Sequence, residues 1–192
     1  MLDKSVPYVG FFMRKKAGAQ IPSFPLPEGY RFAFYQDGDE AHWAAIETSV
    51  LEFDSEFAAL MHFKESFLEN RSELHRRCLF IEDSEGQKVA TGTAWWSYVG
   101  YERRPWLHWI GVLPSHQGLG LGKAIVAKVT ELMAQLEGGA DIFLKTQTWS
   151  YKAVGIYLAC GYEPTDEKIL YRGRKYNYRK AMKILNRLRR KS

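Results

Sequence analysis

The sequence predicts one domain of the mixed α/β (α+β) class. Strand-like and helix-like segments alternate along its 192 residues, of which 46% are hydrophobic and 26% charged, ordinary values for a folded domain. The clearest alternation is an apolar and aromatic strand from Trp106 to Leu113, then a glycine-rich turn, then apolar residues at helical spacing to Leu136. A chain of this length buries one sizeable core, so we expect one domain.

The N-terminal part of the chain is predicted to hold two strands and two helices. Tyr8–Met13 is a short apolar strand, and three prolines between residues 22 and 27 separate it from the next element. Residues 30–35 alternate as a strand, and residues 39–53 and 55–70 have the apolar spacing of helices.

The C-terminal part is predicted to add five strands and two helices. The turn Asp83–Gly86 joins the first two strands as a hairpin. Gly138 and Gly139 end the long helix that follows the glycine-rich turn, and Gly161 ends a second helix that begins at Ser150. The predicted strands of this part cover residues 78–82, 89–98, 106–113, 141–147 and 168–172.

The glycine-rich turn between strand and helix is the most informative segment. At a helix N-terminus the first backbone N–H groups lack intrahelical partners and the helix dipole is positive, so a phosphate can accept several hydrogen bonds there. A Walker loop is excluded, because Gln117 and Ala124 occupy positions that need glycine and a hydroxyl. The even spacing of Gly118, Gly120 and Gly122 excludes the dinucleotide pattern. The alternative is a turn that binds nothing.

Two motifs carry a family resemblance. The pattern Gln-x-x-Gly-x-Gly, formed by Gln117, Gly120 and Gly122, resembles the acyl-CoA signature of the GNAT superfamily of N-acyltransferases. Residues 153–162 are similar to a later motif of that family, Ala-x-x-hydrophobic-Tyr-x-x-x-Gly-aromatic. The resemblance implies a mixed, mostly antiparallel central sheet, splayed at the CoA-binding strand, with helices on both faces. It also implies transfer of an acetyl group from acetyl-CoA, as co-substrate, to a primary amine of a small molecule or peptide.

The same resemblance assigns the acetyl-CoA site. Backbone N–H groups of the turn would hold the pyrophosphate, and the pantetheine would pair with the edge of the motif strand, where Gly111 is expected at a bulge. Ser150 stands where the family often has an asparagine that contacts CoA, and a helix N-cap is its alternative role. The residues assigned to acetyl-CoA are Ile110, Gly111, Val112, Gln117, Gly118, Leu119, Gly120, Leu121, Gly122, Lys123 and Ser150.

Tyr157 and His108 are the candidate catalytic residues. The resemblance makes Tyr157 the general acid for the leaving thiolate, and a half-buried core aromatic is the alternative. For the base, Lys145 occupies the position where many relatives have a glutamate. His108 stands where some relatives carry a catalytic histidine, and an ordinary histidine pKa of about 6.5 suits a base. A buried, hydrogen-bonded histidine fits His108 equally well.

The amine acceptor is expected near the start of the second predicted helix, around Glu52–Phe57. Carboxylates there suit an ammonium group, and tryptophans can supply aromatic walls with cation–π contacts. The tryptophans can equally be core residues. The residues concerned are Trp95, Trp96, Trp109 and Trp149.

Positive charge is concentrated at the C-terminal end. From Tyr171 onward the chain has ten of its 27 lysines and arginines and none of its 22 aspartates and glutamates. Such a tail can bind nucleic acid, or it can be a solvated helix with an apolar side on the body, and we favour the second. The apolar side is formed by Met182, Ile184, Leu185 and Leu188.

The predicted organisation has three parts. Residues 1–29 are an N-terminal extension with a short strand and a proline-rich linker, 30–172 are a GNAT-like N-acetyltransferase domain, and 173–192 are the basic helical tail. We expect a cytoplasmic protein without a metal, because no signal peptide, membrane-spanning run or metal-type cysteine spacing is present. A homodimer stays open.

Two alternative functions also remain. The chain can be an acyl-CoA-binding regulator without transfer activity, since Lys145 replaces the expected base. It can also be a nucleic-acid- or ribosome-associated protein that uses its basic tail. The second alternative ranks last, because no base-reading motif is present.

Overall fold

The computed structural model describes residues 2–167 and 176–189, and the described residues form one seven-stranded sheet with six α-helices. The strands are Gly10–Lys15 (β1), Arg31–Phe34 (β2), Cys78–Glu82 (β3), Lys88–Val99 (β4), Glu102–Val112 (β5), Ile142–Gln147 (β6) and Glu163–Thr165 (β7). The helices are Glu40–Ser49 (α1), Glu56–Phe67 (α2), Arg71–Arg77 (α3), Leu121–Leu136 (α4), Tyr151–Ala159 (α5) and Tyr178–Arg189 (α6). Across the sheet the strand order is β2-β3-β4-β5-β6-β1-β7.

The sheet is parted between β5 and β6. Every other neighbouring pair is antiparallel, and β4 and β5 form a long hairpin. Between β5 and β6, both fully described, a single parallel bridge joins Trp106 to Phe143. The predicted mixed, mostly antiparallel sheet, splayed at the motif strand and with helices on both faces, is confirmed.

The two faces of the sheet carry different cores. Under α1 and α2 the core is aromatic, with Trp43, Phe63 and Phe67 almost completely buried. On the opposite face α4 and α5 cover a mainly aliphatic core. Adjacent residues of β4 alternate between the two, because Ala94 belongs to the aliphatic core and Trp95 to the aromatic core.

The predicted N-terminal strand is an interior strand of the sheet. It is found at Gly10–Lys15, where it pairs with β6 on one side and with β7 on the other. Phe11 and Met13 are fully buried in the aliphatic core. The division of the chain at residues 29 and 30 stays a prediction, but the strand contributes directly to the sheet.

Several boundaries differ from those predicted. The helix predicted over 55–70 ends at Phe67, and a one-turn 3₁₀ segment leads into α3, which was not predicted. The strand β7 was also not predicted, because Pro164 at its centre lacks an N–H and is tolerated only at a sheet edge. The strand predicted over 168–172 lies outside the described residues.

The basic tail includes the helix α6, which packs on the body. Ala181 and Leu185 are buried against the aliphatic core, and Met182 and Ile184 are partly buried beside them. The favoured interpretation of the tail, a solvated helix with an apolar side on the domain, is therefore confirmed for its described residues.

The burial of β1 predicts that its side chains contribute strongly to stability. Replacing the fully buried Phe11 by alanine should lower the free energy of unfolding by about 3–5 kcal/mol, through lost burial and a residual cavity. Phe57, of which 74% is exposed, is the matched control, and Phe57→Ala should change stability by about 0.5 kcal/mol or less. Urea unfolding of the two variants measures the difference. Equal effects would contradict an interior β1.

Candidate active site

The divergence of β5 from β6 opens a cleft of about 740 Å³. Helices α1 and α2 line one side of it, β6 and α5 the other, and β4 and β5 lie between them. The polar and aromatic residues that share this cleft include Glu47, Glu52, His62, Trp96, His108, Trp109, Lys145, Gln147, Ser150 and Tyr157.

Tyr157 reaches the cleft from α5 and is 9% exposed. Burial raises the pKa of its hydroxyl, and the negative charges of Glu52 and Glu47 raise it further. The hydroxyl therefore stays protonated at neutral pH and can donate a hydrogen bond to an atom that gains negative charge. Tyr157 is thus both a buried aromatic and a cleft residue, so the two interpretations made from the sequence are compatible.

Glu47 is the functional candidate that the sequence reasoning missed. It lies on α1, is 1% exposed and lines the cleft. Neither of its carboxylate oxygens has a hydrogen-bond partner among the residues that the structure describes. Burial raises the pKa of Glu47 well above 4.5, and the neighbouring Glu52 adds to the effect. A buried carboxyl with a raised pKa in a cleft is typical of a general base.

A signal for Glu47 was present in the sequence. The apolar face of α1 contains Trp43, Ile46 and Val50, and Glu47 lies four residues after the first and three before the last. An acidic residue on the apolar face of a helix has to be buried with it, and a buried carboxyl needs either a partner or a function.

The C-terminal cap of α1 brings Glu52 to the same cleft. The N–H of Leu51 donates to the carbonyl of Thr48, and the N–H of Glu52 donates to the carbonyl of Glu47, which is a Schellman motif. Leu51 has a φ of +70°, at the position that glycine usually occupies, and this conformation costs a leucine about 1–2 kcal/mol. The cap folds the chain back so that Glu52 follows Glu47 into the cleft.

Glu52 is accessible at the rim of the cleft, yet the surrounding walls restrict its hydration. This burial raises the pKa of its carboxyl, while a hydrogen bond from Gln147 and the positive charges of Lys145 and Lys4 act in the opposite direction. Nε2 of Gln147 lies 3.4 Å from Oε1 of Glu52 and 3.0 Å from Oγ of Ser150. The contacts connect the end of α1 to the segment between β6 and α5.

A bulge in β5 lies beside these carboxyls. Thr93 pairs with His108 and Thr91 pairs with Gly111, so β5 has one more residue than β4 over this stretch. Trp109 has a φ of +50°, which non-glycine residues rarely adopt. The expected bulge is therefore present, but the prediction that Gly111 carries it is corrected, because the unusual backbone conformation is at Trp109.

Gly111 is needed for close packing. A Cβ atom there would lie 2.7 Å from Cγ2 of Ile46 and 2.9 Å from Oε1 of Glu47. Only a glycine lets α1 approach β5 this closely, and the approach places the Glu47 carboxyl against the β5 backbone. The carboxyl thus lies on the strand to which the pantetheine was predicted to bind.

His108 lines the cleft from β5 and is partly buried. Its Nε2 lies 3.2 Å from the hydroxyl of Ser97 on β4, and the ring tautomer decides which atom donates. The contact is compatible with a base that Ser97 orients and with a hydrogen-bonded wall residue. Lys145, at the position of the glutamate found in many relatives, also lines the cleft from β6.

The glycine-rich turn is exposed at the N-terminus of α4. Gly118 and Gly120 both have a φ of +85°, and a Cβ at either would meet no described atom within 4 Å. They are therefore required by backbone conformation, and they leave the turn open to a ligand. Nε2 of Gln117 donates to the carbonyl of Val112 at 2.9 Å, so this side chain holds the turn against the end of β5.

The remaining predicted acetyl-CoA residues divide into packing and exposed groups. A Cβ at Gly122 would lie 2.8 Å from Cδ1 of Ile156, so Gly122 permits close packing of α4 on α5. Leu121 is buried, whereas Leu119 and Lys123 are exposed. Ser150 precedes α5 at the N-cap position, but its side chain makes no capping hydrogen bond, and it accepts the hydrogen bond from Gln147 instead.

Three of the four tryptophans proposed as acceptor walls line the cleft, namely Trp95, Trp96 and Trp109. Trp149 does not line it, because its ring packs on Tyr8 and its indole N–H donates to the carbonyl of Val6. The described residues contain no group of three or more histidine, cysteine, aspartate or glutamate side chains able to hold a metal ion. No helix of the described segments is long and apolar enough to span a membrane.

Comparisons with known proteins agree with this geometry. Residues 23–162 match the sequence profile of the family described as "Acetyltransferase (GNAT) family". The chain is 25% identical over 162 residues to a mycothiol acetyltransferase of Renibacterium salmoninarum, which covers 81% of this chain and 47% of that protein. It is 30% identical over 96 residues to N-acetyltransferase family 8 member 3 of Mus musculus, covering 48% of this chain and 42% of that protein. The chain thus spans a little under half the length of these curated relatives.

Solved structures show the same fold. A GCN5-related N-acetyltransferase from Sphaerobacter thermophilus superposes with a TM-score of 0.65 at 19% identity, covering 83% of this chain and 49% of that one. An acetyltransferase from Clostridium acetobutylicum, solved with acetyl-CoA, has a TM-score of 0.56 at 15% identity and covers 74% of this chain and 95% of that one. At these identities the similarity concerns the fold alone.

The burial of Glu47 predicts a pH-dependent effect on stability. A carboxyl whose pKa is raised by folding contributes stability that is fully present below its unfolded pKa, near 4.5, and is lost as the pH rises toward the folded pKa. Glu47→Gln should therefore gain stability over the native protein as the pH increases, with a plateau above the folded pKa. Urea unfolding at a series of pH values measures this gain. The exposed Glu69, changed to glutamine, is the control, and a pH-independent gain for Glu47→Gln would refute the assignment.

Proposed function

The chain belongs to the acetyltransferase (GNAT) family, and from that premise we propose that it transfers the acetyl group of acetyl-CoA to a primary amine of a small molecule or peptide. The observation that carries the proposal is the junction of three features at one parted strand. An open glycine turn follows β5, the edge of β5 is unpaired beyond Trp106, and Glu47 and Tyr157 lie in the adjoining cleft.

The described residues fit acetyl-CoA. The N–H groups at the start of α4 have no intrahelical partners, and the glycine turn leaves them open, so they suit the pyrophosphate. From Leu107 to Val112 the edge of β5 has no ladder partner in β6, so its backbone groups suit an amide-containing pantetheine arm. The residues that would hold the co-substrate are those predicted at 110–112, 117–123 and 150.

Acetyl-CoA supplies an activated acyl group, and the chain supplies the proton transfers. Glu47 would accept a proton from the ammonium of the acceptor, which leaves a neutral amine to form the new C–N bond as the C–S bond breaks. The raised pKa of Glu47 suits this role, because it brings the carboxyl closer to neutrality. Tyr157 would donate a hydrogen bond, and then a proton, to the leaving sulfur.

Glu47 answers the difficulty that Lys145 raised. A regulator without transfer activity was considered because the expected glutamate on β6 is replaced, but α1 presents a buried carboxyl to the same cleft. We propose Glu47 as the base, with His108 retained as the alternative on β5. The nucleic-acid hypothesis gains no support from α6, because Ala181 and Leu185 anchor this helix to the domain.

The relatives support the reaction class and leave the acceptor to be identified. The two curated relatives are named for acetyl transfer, and each is about twice the length that this chain matches. A cytoplasmic location and the oligomeric state remain predictions from the sequence. The acceptor must carry an amine that can reach Glu47 from the α2 side of the cleft.

Substitution in the glycine turn tests acetyl-CoA binding. Gly120→Val should weaken the binding of acetyl-CoA by at least about 100-fold, because valine resists a φ of +85° and its side chain would cover the open turn. Isothermal titration calorimetry measures the dissociation constant without knowledge of the acceptor. Gly138→Val is the matched control, since Gly138 also has a positive φ but lies after α4. Equal affinity in the two variants would argue against the turn as the binding site.

Removal of the Tyr157 hydroxyl tests the chemistry. With a panel of amines, Tyr157→Phe should lower kcat by about 100-fold, the lower range for loss of a general acid, while the affinity for acetyl-CoA stays unchanged. Glu47→Gln should lower kcat comparably and should remove the acid limb of the pH–rate profile that the raised pKa of Glu47 predicts. Release of the CoA thiol measures both. Tight acetyl-CoA binding without turnover of any amine would favour the regulator hypothesis.

A further inference from the structure

The bulge in β5 changes the direction of one side chain. Along a regular strand, neighbouring side chains point to opposite faces of the sheet. His108 contacts Ser97 and Trp109 contacts His62 of α2, so two consecutive side chains lie on the face of the aromatic core. Ile110 lies on the opposite face, where it shares the space above Gly92 with residues of α4. The extra residue of the bulge thus turns the indole of Trp109 toward the cleft.

This orientation is held against a backbone preference. Trp109 is an aromatic residue with a φ of +50°, a conformation that disfavours any side chain larger than that of glycine. The aromatic core keeps it in place, because the Trp109 ring centroid lies 4.9 Å from His62, 5.1 Å from Phe53 and 5.6 Å from Trp43. Strain of this kind persists where the surrounding structure enforces it, and it concentrates at functional sites.

The indole forms part of a wall and is not simply core. Trp109 and His62 are partly exposed, line the cleft, and meet edge to face with an interplanar angle of 70°. Trp96 lines the same cleft from β4 and is also partly exposed. We call Trp96, His62 and Trp109 the aromatic wall.

Charges in the cleft favour a cation beside this wall. Glu47 and Glu52 lie at the α1 end, and Glu65 of α2 adds a third carboxyl to the cleft lining. The positive or titratable groups that face them are Lys145 of β6, His62 and His108. An ammonium arriving at Glu47 would give its carboxylate the partner that the described residues do not provide.

We propose that the acceptor is an aryl-substituted alkylamine, whose ring packs on the aromatic wall with Trp109 as the specificity-determining residue, and whose ammonium faces Glu47 and Glu52. The inference rests on the acetyltransferase function proposed above. A flat ring matches the faces and edges that Trp109 and His62 present, and aromatic pairs are favoured beyond simple burial of area by about two- to tenfold in affinity.

Two amines with the same carbon skeleton isolate the role of the ring. 2-Phenylethylamine and 2-cyclohexylethylamine differ only in aromaticity, and the native protein should show a kcat/KM at least about fivefold higher for the first. Trp109→Leu should reduce this ratio to near one, mainly through KM, while the affinity for acetyl-CoA is retained. Trp109→Phe should keep the preference. Phe57→Leu, an exposed aromatic change on α2 outside the cleft lining, should leave the ratio unaltered.

Calorimetry separates this inference from the proposed function. Binding of the two amines to the protein saturated with CoA gives the same comparison without turnover, and circular dichroism confirms that each variant is folded. If both amines are acetylated or bound equally well by the native protein, or if Trp109→Leu keeps the preference, the inference is wrong and the acetyltransferase function stands. If the aryl amine binds preferentially but no amine is acetylated, the aromatic wall stands and the transfer function is wrong.

Discussion

The parting of β5 from β6 is the constraint on which the rest of the molecule depends. The strands share one bridge, between Trp106 and Phe143, and beyond it their edges separate. A sheet opened in this way has backbone groups without ladder partners in its interior, where an unsatisfied polar group is costly. The molecule places its cleft at that opening, so a ligand that resembles a peptide chain can complete the hydrogen bonding.

The site is built from local conflicts that a packed surrounding structure holds in place. Glu47 is buried without a described partner, Leu51 and Trp109 have positive φ, and α1 approaches β5 so closely that Gly111 has no room for a side chain. Each feature opposes stability to some degree. Their concentration around one cleft indicates that the large aromatic core under α1 and α2 stabilises a site that could not hold its shape alone.

The sequence predicted most of the fold because its signals were local. The strand, glycine turn and long helix, with the motif at 153–162, were sufficient to predict the splayed sheet and to place Tyr157 in the cleft. Contributions that arise from tertiary packing were not predictable in this way. Glu47 acquires its environment only when α1 packs on Gly111, and the bulge at Trp109 depends on the register between β4 and β5. The short β7 was missed because edge strands can have polar residues and a proline.

The position of β1 has a consequence for how the protein is made. Phe11 and Met13 pair with Thr146 and Leu144, more than 130 residues further along the chain. During synthesis from the N-terminus, an apolar strand emerges early and has no neighbour until β6 has been translated. The interior of the sheet therefore closes late, through contacts of high sequence separation, which fold slowly. Until then β1 is a segment that a chaperone would be expected to bind.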